Sequence, residues 1–172
     1  HLYWAAYQGD EVYFFPNFGS YDVTVKLPPV PAGKYELRFG YACNARNQVV
    51  AFYIDGEPAD IVDLRLYADA IGVIQDSELT QYDNDELIDN ERHLRNKGYM
   101  KAPDVFRTAY NASARDDASH FRRIVSTQNI GNGDHWIRFR NISDNKCTLE
   151  LDYIELVPLK VVSDPLKPED RH

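Results

Sequence analysis

Short segments with strictly alternating apolar and polar residues, broken by Gly and Pro turns, constrain this chain more than any other feature. In residues 21–27, Val23, Val25 and Leu27 alternate with Asp22, Thr24 and Lys26. In residues 35–41, Tyr35, Leu37, Phe39 and Tyr41 hold one phase, and Glu36, Arg38 and Gly40 the other. In residues 135–142, Ile137 and Phe139 oppose Trp136, Arg138 and Arg140. A period of two places each set on one face of a strand. Residues 49–54, 121–126 and 148–157 read as further strands. The Pro-rich run 28–33, the Asp55-Gly56 pair and the Gly131–Asp134 run supply turns. Many short strands with such turns specify an all-β fold, here a two-sheet antiparallel β-sandwich of jelly-roll type. Its expected core contains Tyr35, Leu37, Phe39, Val50, Phe52, Ile54, Ile137, Phe139, Leu151 and Tyr153. A chain of 172 residues suits one such domain with an elaborate insertion. The jelly roll spans 1–158 and a polar, Pro-containing tail spans 159–172.

Residues 60–120 break the rhythm and form a long, partly helical insertion. Asp83 and Glu86 have the spacing of a capping box. Leu87, Ile88 and Leu94 recur at roughly helical intervals, Glu91 precedes Arg95 by four residues, and Gly98 sits where a helix stops. The pattern predicts a helix over 84–96. Tyr99, Met100 and Lys101 lie between that Gly and Pro103, on a constrained loop. Two readings stay open: the insertion makes a functional contact, or it only covers an edge of the sandwich, with Tyr99 and Met100 pinning it in place.

The formal charge of −8 and the absence of a basic run exclude a nucleic-acid partner. No stretch approaches the roughly 20 apolar residues of a membrane span, so no membrane insertion by this chain is expected. The opening His1-Leu2-Tyr3-Trp4 leaves a removed export signal open. The 12 Tyr suit strands and would also suit sugar binding. Cys43 and Cys147 lack metal spacing; a cross-sheet disulfide and two free thiols both remain open. Asn111-Ala112-Ser113 and Asn141-Ile142-Ser143 fit the glycosylation pattern.

Nothing points to catalysis. The five His are scattered, with no helical zinc pair. No nucleophile elbow or phosphate-cradling Gly loop is present. Asp116-Asp117 reads as a solvated turn. The expectation is that this is not an enzyme.

Three pieces carry a resemblance. One is Gly33-Lys-Tyr-Glu-Leu-Arg-Phe-Gly-Tyr41 followed by Tyr53-Ile-Asp-Gly56. The others are Gly133-Asp-His-Trp-Ile-Arg-Phe139 and Leu151-Asp-Tyr-Ile-Glu-Leu-Val-Pro158. Together they resemble the galactose-binding-like jelly rolls, including carbohydrate-binding modules of the family 6 and 35 type. Arg95-Asn-Lys-Gly-Tyr-Met-Lys-Ala-Pro-Asp104 resembles the module that follows fasciclin-type domains in Bacteroidetes surface proteins. The resemblance implies a non-catalytic binding module on the extracellular or outer-membrane surface of a Gram-negative bacterium. The resemblance itself implies no established ligand; a glycan is the expected partner. The alternative is a structural or protein-adhesion module that meets a surface protein through the 60–120 insertion. Candidate ligand contacts are Arg46 and Asn47, which offer directional hydrogen bonds, with Arg95, Tyr99 and Lys101 from the insertion.

The chain departs from the sugar-binding pattern in one respect. Such modules hold a ring between two aromatic side chains, whereas Trp4, Tyr99 and Trp136 lie on three separate segments. No cofactor is expected, with a structural calcium left open. Asp152 matches the acidic position of the last strand, but only Asp10 and Glu11 offer N-terminal partners. The acidic run 83–89 lacks the third acidic position and the Gly of an EF-hand. Asp152 otherwise needs a cation within an apolar strand. Arg38, Arg138 and Arg140 are the candidates, provided their strands share a sheet with it.

Overall fold

The computed structural model describes residues 12–14, 20–42, 48–66, 68–74, 80–101, 120–143 and 149–162. They form a two-sheet antiparallel β-sandwich. The strands are β1 (Val12–Phe14), β2 (Asp22–Lys26), β3 (Gly33–Ala42), β4 (Val49–Ile54) and β5 (Glu57–Asp63). After the insertion come β6 (Tyr99–Lys101), β7 (His120–Ile130), β8 (Trp136–Asn141) and β9 (Leu149–Pro158). Helix α1 spans Ala68–Ile71, α2 spans Asn84–Asn96 and α3 spans Leu159–Val162. One sheet runs β1-β9-β3-β7-β6 and the other β2-β8-β4-β5.

Alternation selects the faces that meet. Leu37, Phe39 and Tyr41 from β3 face Val50, Phe52, Ile54, Ile137 and Phe139 of the opposite sheet, all buried. Phe39 meets Phe52 edge-on at 5.0 Å between ring centroids and Phe139 at 5.6 Å. Each buried Phe contributes roughly 1.5–3 kcal/mol, and edge-to-face pairing adds about 0.5–1.5 kcal/mol. This aromatic knot is the main tie between the sheets. The Asp55-Gly56 turn joins β4 to β5, with φ of 53° and 88°. Both residues being left-handed is what a tight hairpin turn requires.

The helix over 84–96 is present, with its capping box. Asp83 accepts from the Glu86 amide at 2.9 Å, and Glu86 accepts from the Asp83 amide at 3.0 Å. Leu94 is its buried residue. The segment 71–74 is strapped beneath it: Lys97 and Lys101 donate to the carbonyls of Ile71 and Ile74, and Asn90 donates to Gly72 O.

Two expectations are corrected. Residues 99–101 are not a loop but a strand, because their backbone pairs with Arg123, Arg122 and Phe121 of β7. Regular pairing of β5 with β4 runs through Asp63. Tyr153 does not face the core. Pairing of β3 with β9 shifts between Gly40 and Tyr41, where Gly40 opposes Tyr153 and Tyr41 opposes Leu151. Asp152 is the extra residue of this β-bulge, which reverses the faces beyond it. Ile154 and Leu156 pack on the core instead, and Tyr153 lies over Gly40. A Cβ at residue 40 would come within 2.5 Å of that ring.

The bulge also redirects the charges. The outer face of the five-stranded sheet carries Glu36, Arg38 and Arg122, only 6%, 1% and 2% exposed. Arg38 Nε donates to Glu36 Oε1 at 2.7 Å, and Arg38 and Arg122 approach Glu155 at 3.6 and 3.8 Å. So the carboxylate opposite Arg38 in the register is Glu155, not Asp152. Arg138 and Arg140 lie on β8, in the other sheet from Asp152.

Candidate functional site

The outer face of the four-stranded sheet, unlike that of the five-stranded one, stays open. Strand β8 runs through it, and the phase opposite to Ile137 and Phe139 sends Trp136, Arg138 and Arg140 outward. Register lines up neighbours in rows: Lys26 beside Trp136; Thr24, Arg138 and Tyr53; Asp22, Arg140, Ala51 and Ile61. Trp136 is 42% exposed, well above what a ring serving only the core would show. Lys26 sits 5.8 Å from its centroid, and Arg138 lies 5.2 Å from the centroid of Tyr53. Tyr53 and Trp136 are diagonal cross-strand neighbours, roughly 7–8 Å apart on such a lattice. The face therefore presents two aromatic rings among hydrogen-bonding groups.

Its charges are mostly tied. Asp22 takes a two-pronged contact from Arg138, with Nε to Oδ1 at 2.7 Å. That hydrogen bond holds the Asp22 carboxyl below the usual carboxylate range. Lys26 pairs with Asp134 at 2.8 Å.

The rim that carries Trp136 is fixed by Asp55 and His135. Asp55 Oδ1 accepts from the Trp136 amide at 2.8 Å, and the Asp55 amide donates to Trp136 O at 2.9 Å. His135 Nδ1 lies 2.6 Å from Asp55 Oδ2, and its Nε2 lies 3.2 Å from Gly131 O. Both ring nitrogens face acceptors, so the imidazolium satisfies the site. The Asp55 hydrogen bond accordingly raises the His135 pKa. Burial pushes the Asp55 carboxyl up, but the bonds from His135 and the Trp136 amide outweigh it and hold it low.

The insertion candidates are spent on contacts within the protein. Tyr99 is 6% exposed, its hydroxyl reaches Asp63 O at 3.3 Å, and Arg123 covers its ring at 4.8 Å. Arg95 grips Glu36 at 2.8 and 3.0 Å and meets Met100 Sδ at 3.1 Å. Lys101 donates to Ile74 O at 2.6 Å. All three fasten the insertion to the sandwich and do not converge on the Trp136 face. Arg46, Asn47, Cys43, Cys147, Trp4, Asp10, Glu11 and the Asn111 sequon lie outside the described residues. Asn141 is buried at the end of β8, and its Oδ1 accepts from both the amide and the hydroxyl of Ser143.

Tyr53, Lys26, Asp22 and Asp55 were absent from the expected site. Tyr53 had a legible signal, since it is an aromatic out of phase with Val50, Phe52 and Ile54. The others are brought in only by register. Among the described residues, no three His, Cys, Asp or Glu converge to hold a metal, and no helix is long and apolar enough to cross a membrane.

No known family description and no curated protein matches the chain. Among solved structures it is similar to a Paenibacillus xanthan lyase, at 12% identity and a TM-score of 0.53. The likeness covers 90% of this chain and 11% of the lyase. At that identity the likeness is one of fold: a sandwich of this kind occupies about a tenth of the lyase.

Proposed function

We propose that this chain is a non-catalytic glycan-binding module that takes its ligand on the outer face of the four-stranded sheet. One observation carries the reading: Trp136 is an exposed indole on a strand held from both sides. An aromatic face gives apolar contact to the C–H side of a sugar ring at little entropic cost. The rows around it supply the hydroxyl of Thr24 and the cations of Lys26 and Arg138, which suit sugar hydroxyls. The rigid sheet fixes these groups before the ligand arrives, which lowers the ordering cost of binding.

The likeness to one-tenth of a xanthan lyase supports a carbohydrate-related role by analogy of fold alone. In this reading the protein sits on the extracellular or outer-membrane surface of a Gram-negative bacterium, which is what the sequence resemblance to the module that follows fasciclin domains implies. Protein adhesion through the insertion is less well supported, because that role needs an apolar patch near Tyr99. Tyr99 is buried and Met100 lies against Arg95.

Trp136→Ala tests the proposal on a glycan array and by affinity electrophoresis. Binding by wild type should be lost in the variant, with the melting temperature nearly unchanged because the ring is half out of the protein. Unaltered glycan binding by Trp136→Ala would refute it.

A further inference from the structure

We infer that the glycan is carboxylated and that Arg140 reads its carboxylate. The inference rests on the glycan reading above and adds the substrate class. It starts from the row Asp22, Arg140, Ala51 and Ile61, which crosses the open sheet. Arg138 is already held by Asp22, and Lys26 by Asp134. Arg140 is exposed, and among the described residues no carboxylate lies within ion-pair distance of it. Its cross-strand neighbour Asp22 feels its charge but spends its oxygens on Arg138.

On the other side of Arg140, Ala51 has no side chain beyond Cβ and is only 4% exposed, and beyond it Ile61 stands 63% exposed. The row therefore sets an exposed guanidinium across from an exposed apolar side chain. That combination fits one ring: C–H groups on Ile61, and an equatorial carboxylate on the planar fork of Arg140. A guanidinium binds a carboxylate through two parallel N–H bonds, a geometry that a neutral hydroxyl cannot match.

Arg140 and Trp136 lie four residues apart on one strand, on the order of 13 Å. This exceeds a single sugar ring, so the ligand is a chain that lies along β8, with its acid at Arg140 and another ring on Trp136. The chain as a whole carries a net charge of −8, which repels a polyanion. Contact with an acidic polysaccharide therefore depends on a local cation such as Arg140, and salt should weaken it.

The test is affinity electrophoresis of the full chain in gels containing polygalacturonate, alginate, hyaluronan or xanthan, each beside its carboxyl-reduced form. Dextran sulfate serves as a non-carboxylate polyanion. Wild type should be retarded by at least one carboxylated polysaccharide, and at least about tenfold less by its reduced partner. Arg140→Gln should lose that difference, and Arg140→Lys should keep part of it. Melting curves check that both variants fold. Equal retardation by the carboxylated and reduced forms, or by dextran sulfate, would overturn the inference. If Trp136→Ala still abolished binding in that case, the glycan reading would survive it. No retardation of wild type in any gel would overturn both.

Discussion

Glu36 offers the sharpest test of how the five-stranded sheet tolerates charge on its covered face. It is 6% exposed and serves two guanidiniums, Arg38 at 2.7 Å and Arg95 at 2.8 Å. Glu36→Gln keeps the volume and removes the charge. Arg38 is 1% exposed, and a second carboxylate, Glu155, stands 3.6 Å away, beyond good hydrogen-bonding distance. Removing one partner of a buried pair costs roughly 3–5 kcal/mol. Glu155 recovers part of this, so about 3 kcal/mol is expected. For a domain of this size that is roughly 6–12 °C in melting temperature, at about 2–4 °C per kcal/mol. The other end of the pair behaves differently. The Arg95 side chain is 32% exposed, so water screens it and Arg95→Gln should cost no more than about 1 kcal/mol. Urea unfolding at neutral pH measures both. A cost under about 1 kcal/mol for Glu36→Gln, or equal costs for the two variants, would refute a buried Glu36–Arg38 pair.

Gly40→Ala should cost about 1–3 kcal/mol through overpacking, because the new methyl lands 2.5 Å from the Tyr153 ring. Urea melts should show it, and Tyr153→Ala in the same chain should remove most of the loss; simple additivity would refute the contact. His135 has a raised pKa in the folded state, so its contribution is complete below its unfolded value of about 6.5 and fades as pH rises through the folded value. Asp55 is lowered, so its contribution is present above about 3.9 and is lost as pH falls through its folded value. Wild type should therefore lose stability relative to His135→Gln as pH rises above about 6.5, and parallel profiles would refute the clamp.

Elements specified by neighbours along the chain were legible. The bounds of α2 follow from a capping box at Asp83 and Glu86 and a stop at Gly98, all within a few residues. The faces of β3, β4 and β8 follow from alternation. Elements that exist only through distant partners were not. Strand β6 is three residues long and is a strand because β7 lies beside it. Strand β5 carries Pro58 and lacks alternation, both tolerable because it is an edge strand. The site divides the same way. Trp136 stands out in the sequence as a candidate, but its setting, with Lys26 alongside and Asp55 beneath, is a matter of register.

The acid within the last strand marks where local reading gives way. Alternation along Leu149–Pro158 groups Leu151 with Tyr153 and leaves Asp152 on the opposite face, in need of a cation. The strand in fact has two phases, joined at Asp152. Before the bulge Leu151 meets the core; after it Ile154 and Leu156 do. Tyr153 and Glu155 turn outward, opposite Gly40 and Arg38. A strand that changes phase looks apolar throughout, since each half contributes its own buried face. Gly40 makes the change possible, because only a residue without a side chain admits the Tyr153 ring so close to the backbone. Three residues later, Glu155 approaches the buried guanidiniums of Arg38 and Arg122. Asp152 itself sits half-buried at the bulge, where the ladder is interrupted and a polar residue is cheapest to place.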